Sequence, residues 1–516
     1  MVPPLRFVVV GRLDAGRIAA WLAPTWRVTA GRAAPLGQCF LDTFDWALWR
    51  SDGRLVVERE GDQTRMRWQP GGAKPARTVP LAHEVRFAAD LPGGVLRREV
   101  AAAAGLRALL PVGEMSVRRK LLRVVDGEGK TLVRLWLEAV QPLLRGIPAG
   151  PERIRVRVEP LVGYARASAG VVARLQSRAE LAPDERDDLA DAAAAAGRMP
   201  GDYSSRVSVD LVPDQPAEVA VRRILTHLSA TLRANVEGTV PDLDSEFLHD
   251  LRVATRRTRS CLGQLRGVLP AAKVEPFVEE FRWLGDLTTP CRDLDVFLLE
   301  LQDRRRALPA SSAAALEPLM AHLRKAREAA HGELAEALQS ARFKGLLEGW
   351  GKILTRPARG GEEGALPIAR VARARVLRAY RRLVRHGRAL GPEPQVPAMH
   401  RLRIDGKKLR YLLEFFASLW EAEETVVFVG QLKLVQDALG TYHDAWLQHE
   451  RLVALGDEIL AAGAGASTLL AMGRLIADLE RRQAREAESF FRLFADFSAR
   501  PVRARLTRLV ECAGVA

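Results

Sequence analysis

One short pattern occurs twice in this chain, and it constrains the fold more than any other feature. The segment HDLRVATRRTR, residues 249–259, carries a histidine and three of its arginines at positions i, i+3, i+7 and i+10. The segment MHRLRIDGKKLR, residues 399–410, repeats this spacing with a lysine at the third position. His249 and His400 are 151 residues apart. One charge pattern that recurs at a fixed offset indicates that a whole structural unit is repeated.

Both segments are predicted to be amphipathic helices. At about 100° per residue, the four basic positions of each segment fall within a stripe ~80° wide, and leucines occupy the opposite side. We call these the first stripe (His249, Arg252, Arg256, Arg259) and the second stripe (His400, Arg403, Lys407, Arg410). Arg257 and Lys408 lie outside the stripes but also correspond at the 151-residue offset. A solvated face explains one such stripe, but it gives no reason for a second copy.

The correspondence continues downstream of each stripe. Arg282 matches Lys433, and Asp293 matches Asp444, 44 residues after its histidine. We expect both aspartates to hold basic side chains in position, and local salt bridges or helix caps are equally open roles. Arg282 and Lys433 each precede an aspartate by four residues, which is also compatible with plain pairs within one helix.

The amino-acid composition indicates that the binding partner is an anion. Lys and Arg outnumber Asp and Glu by 78 to 63 over 516 residues, a formal net charge of +15. Arginine dominates this excess and favours bidentate contacts with oxyanions, so nucleic acid, a phosphate polymer and an anionic membrane surface are candidate partners. Aromatic residues make up 6%, which disfavours stacking platforms for single-stranded nucleic acid.

The cysteines and the hydropathy pattern favour a cytoplasmic protein. Cys39, Cys261, Cys291 and Cys512 show no metal-ligand spacing, and we expect reduced core thiols rather than disulfides or zinc ligands. The apolar run near the N-terminus is too short for a signal peptide, and no apolar run reaches the length of a membrane span.

Hydrophobic periodicity divides the chain into two parts. Alternating β-formers predict strands over most of residues 1–165, with a hairpin at Asp126–Gly127, whereas long amphipathic patterns predict helices from about residue 217 onward. We therefore predict an α+β protein of two domains: a β-domain at 1–198, a linker at 199–216 and an all-α domain at 217–516. The all-α domain contains repeat one at 217–355 and repeat two at 368–510.

The repeated helical part resembles the CHAD domain, the conserved histidine α-helical domain. HDLRVATRRTR with RDLDV, and MHRLRIDGKKLR with YHDA, carry the resemblance over roughly 217–510. It implies two pseudo-symmetric helical bundles whose basic residues bind inorganic polyphosphate in a groove or pore, and placement on polyphosphate granules. The implied phosphate contacts are both stripes together with Arg257, Arg282, Lys408 and Lys433, supported by Asp293 and Asp444.

The N-terminal part resembles the CYTH domain, a β-tunnel related to triphosphatases and adenylyl cyclases. CFLDTFDWALWRSDGRLVVERE is similar to the family's YxDTxxxxL region, with Phe40 or Leu41 in place of the tyrosine and with Asp42 and Thr43 retained. LVRLWLEAV and IRVRVEPLVG are similar to two later tunnel strands. The resemblance implies an antiparallel β-tunnel or barrel with flanking helices.

The departures from that family bear on catalysis. Its N-terminal ExExK strand holds divalent metals, but here Val8 and Val10 stand where the glutamates belong and Arg12 replaces the lysine. On a late strand, Arg155 and Arg157 precede Glu159. Valine offers no oxygen ligand to a hard cation, so we expect a binding protein rather than an enzyme, with no catalytic residue, metal or cofactor.

Three alternatives accompany this interpretation. The N-terminal domain is either a pure scaffold or a residual phosphate binder lined by arginines (Arg54, Arg59, Arg65, Arg67, Arg118, Arg119, Arg134). A divergent metal-dependent triphosphatase that uses Glu58, Glu138 and Glu159 also stays open. Non-specific nucleic-acid binding is compatible with the charge alone. The HDLR motif of sensor kinases is disfavoured, because no glycine-rich ATP-binding segment follows it.

Overall fold

The fold is described from a computed structural model that covers residues 5–72, 74–355, 360–391 and 394–511. The chain divides between Ser204 and Ser205 into an N-terminal unit and a C-terminal unit. The N-terminal unit is built on an antiparallel sheet and the C-terminal unit is helical, which confirms the predicted fold class.

The N-terminal unit contains a mixed-length sheet and short helices. Its strands are β1 (Arg6–Val9), β2 (Arg27–Asp42), β3 (Arg54–Glu60), β4 (Gln63–Gln69), β5 (Arg77–Pro80), β6 (Leu110–Val125), β7 (Thr131–Leu144), β8 (Ile147–Pro148), β9 (Arg153–Pro160) and β10 (Leu181–Pro183). Its helices are α1 (Ala15–Leu22), α2 (Ala47–Arg50), α3 (Val95–Ala104), α4 (Ala165–Gln176) and α5 (Asp188–Ala195). The strand order is β10-β1-β9-β7-β6-β2-β3-β4-β5, with β8 paired to β7, and every pairing is antiparallel.

Alternation along the strands gives the sheet two different faces. One face of β6, β7 and β9 is apolar and packs against α1 and α4, where Leu135, Val156 and Val171 are fully buried. The opposite face carries charged residues, and the register places Glu138 beside Arg119 on β6 and Arg155 on β9. The predicted hairpin is present, since Asp126 closes the turn between β6 and β7.

The C-terminal unit consists of long helices. The first repeat contains α6 (Ala217–Thr239), α7 (Ser245–Gln264), α8 (Ala271–Arg306), α9 (Ala310–Ala315), α10 (Glu317–Gln339) and α11 (Ala341–Thr355). The second repeat contains α12 (Ile368–Arg388), α13 (Val396–Phe415), α14 (Ala422–Ala461), α15 (Ala466–Phe497) and α16 (Arg500–Glu511). In the described residues, no helix combines the length and the hydropathy that a membrane span requires.

The two repeats are related by a pseudo-twofold axis. Helices α6, α7 and α8 begin 151 residues before α12, α13 and α14, as the sequence pattern predicts. At the start of each repeat, the Ala217 amide donates to the Leu366 carbonyl and the Ile368 amide donates to the Gln215 carbonyl. Ala217 corresponds to Ile368 and Gln215 corresponds to Leu366 at the 151-residue offset, so each repeat donates the same bond to the other. A twofold relation produces this reciprocal pairing.

Part of the predicted linker belongs to the helical unit. Residues 205–216 pack against this unit, where the Leu211 amide donates to Ser418 Oγ.

The described cysteines are free thiols. Cys261 and Cys291 are buried and Cys39 is half-buried. Burial raises the pKa of Cys39 to about 11, so it is protonated at neutral pH. Cys512 lies outside the described residues.

The position of α7 depends on a close approach at Gly238 in α6. A Cβ at this residue would lie 2.2 Å from the ring of Phe247, which is buried on α7. We predict that Gly238→Ala lowers the free energy of unfolding by about 1–3 kcal/mol, because the ring has no room to move away. Denaturant unfolding measures the change.

Gly332 supplies the matched control, because it is exposed in the middle of α10 and a Cβ at this residue would meet no other atom within 4 Å. Gly332→Ala should stabilise the protein by up to ~1 kcal/mol through helix propensity. Equal effects of the two substitutions would contradict the role given to the Gly238 contact.

Candidate functional site

The two stripes meet at a cavity on the pseudo-twofold axis. This cavity, about 680 Å³ in volume, lies between α7, α8, α13 and α14. Its lining contains six pairs of residues that are 151 positions apart: Arg252 and Arg403, Arg256 and Lys407, Arg292 and His443, Asp293 and Asp444, Val296 and Leu447, Phe297 and Gln448. We call it the axial cavity. Both repeats therefore contribute the same positions to one site.

Local structure explains why the stripes point into the cavity. Asp244 caps α7 by accepting hydrogen bonds from the amides of Glu246 and Phe247. On the other side of α7, Leu251 is fully buried in the helical core, and Leu402 holds the same position on α13. The apolar faces fix the rotation of both helices, so the basic faces turn toward each other.

Arg252 is held by neutral groups rather than by a carboxylate. Its guanidinium donates to Thr289 Oγ1 at 2.8 Å and to Thr288 Oγ1 at 3.2 Å on α8. Burial lowers the pKa of Arg252, and the neighbouring charges of Arg256 and Arg292 lower it further while Asp293 raises it. No ion pair of Arg252 occurs within the described residues.

Arg256 and Lys407 occupy corresponding positions and are also without a carboxylate partner in the described part of the chain. Arg256 Nε donates to the Tyr411 hydroxyl at 2.5 Å. Burial, together with the positive charges of Arg256 and Arg403, lowers the pKa of Lys407 to about 7. The centre of the cavity is therefore strongly positive and imperfectly compensated.

The carboxylates of the cavity are arranged asymmetrically. Arg403 donates to Asp444 at 3.4 Å, whereas Arg252 makes no such bond to Asp293. Burial raises the pKa of both aspartates, and the surrounding arginines oppose the shift. Asp444 therefore contacts one basic side chain, and Asp293 forms no such bond within the described residues.

The histidines differ between the repeats. His400 Nδ1 lies 3.1 Å from His443 Nε2, and the two rings are 4.5 Å apart between centres. Burial and Arg403 lower the pKa of His443 to about 4, so it is neutral at physiological pH. At the matching position, Arg292 instead donates to the Ser245 carbonyl and to Glu246 at the start of α7. The two halves therefore present unequal groups to a ligand.

A second cavity of about 640 Å³ adjoins the first. The two share His249, Val253, Arg256, Arg403, Lys407 and Asp444 as a common wall. The second cavity adds Arg410, Tyr411, Arg257 and, from the segment before α6, Arg206. Arg257 is buried and bonded to Glu414, and Arg410 also bonds to Glu414. The basic surface is thus longer than one cavity.

Other predicted site residues lie away from both cavities. Arg259 and Lys433 are exposed, and Arg282 is exposed and paired with Glu279 at 2.5 Å. Lys408 is half-buried near Arg382 and Asp405, and burial lowers its pKa. Within the described residues, His400 reaches the axial cavity through its bond to His443 rather than as a lining residue.

Three basic lining residues of the axial cavity were not among the sequence predictions for the site. Arg292 and His443 precede the matched aspartates by one residue, so the repeat alignment alone could have identified them. Arg451 corresponds to Glu300 in the first repeat, so symmetry gives no signal for it.

The charged face of the N-terminal unit is compensated from within. Glu58 pairs with Arg65 and Arg67, Glu138 pairs with Arg155 and Arg157, and Glu159 pairs with Arg134. The other predicted lining arginines pair likewise, Arg54 with Asp187, Arg118 with Glu152 and Arg119 with Glu60, whereas Arg59 is exposed. Val8 lies opposite Arg155 in the register of β1 with β9, and Val10 is 62% exposed. In the described part of the chain, no cluster of three or more metal-ligating side chains occurs.

Comparison with known proteins identifies the helical unit. Residues 223–453 match the family model of the CHAD domain, so this part of the chain is a CHAD domain, as the sequence motifs predict. The chain is also similar to the CHAD domain of Ricinus communis, with 25% identity and a TM-score of 0.47 over 60% of this chain and 98% of the plant chain.

The chain is also similar to one further solved structure and to one sequence relative. An adenylyl cyclase-type protein from Hippeastrum with a dominant triphosphatase activity is 12% identical, with a TM-score of 0.27 over 39% of this chain and 99% of that one. An uncharacterized protein of Mycobacterium tuberculosis is 24% identical over 324 residues, 59% of this chain. The match spans 61% of the length of that relative.

The low pKa of Lys407 leads to a stability prediction. The unfolded chain binds a proton at Lys407 up to about pH 10.5, and the folded chain only up to about pH 7, so the penalty on folding is full below pH 7 and decreases above it. We expect Lys407→Met to raise the free energy of unfolding by ~1–3 kcal/mol at pH 6 and by less at pH 9. Denaturant unfolding in a buffer without multivalent anions measures both values.

Lys433→Met is the matched control, because Lys433 is exposed on α14. It should leave stability nearly unchanged at either pH. A stabilisation by Lys407→Met that is absent at pH 6, or larger at pH 9, would show that Lys407 carries no charge penalty in the cavity.

Proposed function

We propose that the helical unit binds inorganic polyphosphate in the axial cavity and along the second cavity, which adjoins it. The CHAD domain at residues 223–453 is linked to polyphosphate binding in general, which supports this ligand. The observation that carries the proposal is the charge of the site itself.

Arg252, Arg256 and Lys407 bring three basic groups to one cavity, and none of them pairs with a carboxylate within the described residues. Arg252 and Lys407 are partly buried, whereas Arg256 is exposed. Positive charge on the two partly buried groups is unfavourable unless an anion enters. The N-terminal unit shows the contrasting arrangement, since its buried arginines pair with glutamates and aspartates of the same unit. The helical site is therefore the better candidate for binding an external polyanion.

The shape of the site favours a chain of phosphates over a single phosphate. Each stripe runs ~15 Å along its helix at 1.5 Å per residue, and the two cavities share a basic wall. The two ends of an unbranched polyphosphate chain are chemically identical, so the chain suits a site whose contacts repeat about a twofold axis. Binding through such contacts is blind to sequence and weakens steeply with salt.

We further propose that this binding places a cytoplasmic protein on polyphosphate granules, and that the N-terminal unit acts as a scaffold without triphosphatase activity. The scaffold role is supported by three glutamates of the N-terminal unit, Glu58, Glu138 and Glu159. Each is bonded to arginine, which leaves its oxygens less available to a divalent cation.

A pair of double substitutions tests polyphosphate binding. We predict that Arg256→Ala/Lys407→Ala weakens the binding of long-chain polyphosphate roughly tenfold or more, because both charges lie on the wall common to the two cavities. Calorimetric titration of the full chain, with circular dichroism to verify folding, measures the loss.

Arg259→Ala/Lys433→Ala removes the same number of charges from exposed stripe and helix positions outside the cavities. It should reduce the affinity less than threefold. Equal losses from the two double variants would mean that net charge rather than the cavity binds the polymer, and no loss from either would refute the site.

A second test addresses catalysis in the N-terminal unit. We predict that the full chain releases no phosphate from tripolyphosphate with Mg²⁺ or Mn²⁺ above the rate of the metal alone, because the carboxylates on the charged face are occupied by arginines. A phosphate-release assay provides the measurement. Metal-dependent release that Glu138→Gln abolishes, while Glu152→Gln at an exposed ion pair leaves it intact, would assign a divergent triphosphatase instead.

A further inference from the structure

The axial cavity changes its chemistry along its length. On α8, the Thr288–Thr289 pair that holds Arg252 comes first, Asp293 follows one turn later, and Val296 and Phe297 follow another turn later. On α14, Asp444 is likewise followed one turn later by Leu447. Over two turns, roughly 11 Å, the lining passes from basic residues to the two aspartates, which have Arg292 and His443 beside them, and then to apolar residues. The charged residues Glu450 and Arg451 follow in the next turn of α14.

Two acidic residues of the cavity, Asp293 and Asp444, do not themselves bind bare phosphate. Asp293 forms no hydrogen bond or ion pair in the described part of the chain, yet it lines a cavity that attracts anions. A carboxylate there repels a phosphate oxygen, and the internal phosphates of inorganic polyphosphate carry no proton at neutral pH that they could donate to it. Hydroxyl groups do donate to carboxylates, as ribose hydroxyls do in dinucleotide-binding proteins.

The apolar layer also exceeds what a phosphate polymer requires. Leu447 is 45% exposed at the cavity, and Val296 lies beside it. The guanidinium of Arg451 lies over the ring of Phe297, 5.5 Å from its centre, and within the described residues it has no ion pair. A guanidinium plane that lies on one ring can stack a second flat ring on its other face.

We propose that the axial cavity also binds an organic polyphosphate in which a phosphate chain is followed by a hydroxyl-bearing group and a flat ring, as in a nucleoside triphosphate. The phosphates would contact Arg252, Arg256, Arg403 and Lys407, the hydroxyls would donate to Asp293 and Asp444, and the ring would lie against Leu447 and Arg451. This inference rests on the proposed phosphate binding and adds an end group to the ligand.

The first experiment compares ATP with inorganic tripolyphosphate by calorimetric titration of the full chain, at constant ionic strength and without divalent cations. Tripolyphosphate carries at least as much negative charge as ATP, so electrostatics alone would favour it. We expect ATP to bind at least fivefold tighter. Equal or weaker binding of ATP would overturn the inference.

Variants then locate the ring and the hydroxyls. Leu447→Asn should weaken ATP threefold or more and leave tripolyphosphate unchanged, whereas Leu434→Asn, exposed on the same helix outside the cavity, should change neither. Asp293→Ala should shift the two ligands in opposite directions, with tripolyphosphate bound more tightly and ATP more weakly. A parallel shift of both ligands would assign Asp293 a purely electrostatic effect and overturn its role.

The two proposals fail in different ways. If long-chain polyphosphate binding does not depend on Arg256 and Lys407, the proposed function is wrong. If that dependence holds but ATP shows no advantage over tripolyphosphate, only the organic end group is wrong. If ATP binds tightly and Arg256→Ala/Lys407→Ala leaves its affinity unchanged, the nucleotide binds elsewhere on the chain and the inference is overturned.

Discussion

The two repeats of the helical unit are joined at their starts by two hydrogen bonds between residues 215–217 and 366–368, across the pseudo-twofold axis. These bonds fix the starts of α6 and α12 against each other, and the following helices then repeat with the same 151-residue offset. Because the apolar side of each stripe helix packs into the common core, the basic sides are turned away from the core, and part of each lines the cavity at the axis. The positive cavity is thus a consequence of joining two amphipathic copies face to face.

Charge compensation distinguishes the two units of the chain. In the N-terminal unit, strand register sets carboxylates opposite arginines, as with Glu58 beside Arg65 and Glu138 beside Arg155. Cross-strand pairs of opposite charge stabilise a sheet and satisfy both groups. In the helical unit, the same type of pairing would require like positions of two equivalent helices to carry opposite charges. A duplicated basic pattern cannot supply this, so Arg252, Arg256 and Lys407 have no carboxylate partner within the described residues, although Arg403 pairs with Asp444.

The sequence predicts the division into a sheet unit and a repeated helical unit, and it predicts which faces of α7 and α13 are basic. It does not predict how far along each stripe the cavity extends. Arg259 belongs to the first stripe by angle, but it is exposed, it lines neither cavity, and its guanidinium lies over Gly285 of α8. A helical wheel gives the direction of a side chain, and only the crossing of two helices gives the depth at which it meets a partner.

Some cavity positions differ between the two repeats, and these differences bear on the kind of ligand that the cavity fits. Arg451 has Glu300 as its counterpart, and Phe297 has Gln448, so the flat apolar surface exists on one side of the axis alone. On the other side of the axis, the positions that correspond to Arg451 and Phe297 hold Glu300 on α8 and Gln448 on α14. Gln448 donates a hydrogen bond to Glu300 there, and no aromatic ring occupies this position. A ligand that is itself symmetric would gain nothing from this difference, because either orientation would meet one matched and one unmatched end. An asymmetric ligand gains a defined orientation, since its ring can stack at one end only, and the loss of symmetry in these residues then has a physical reason.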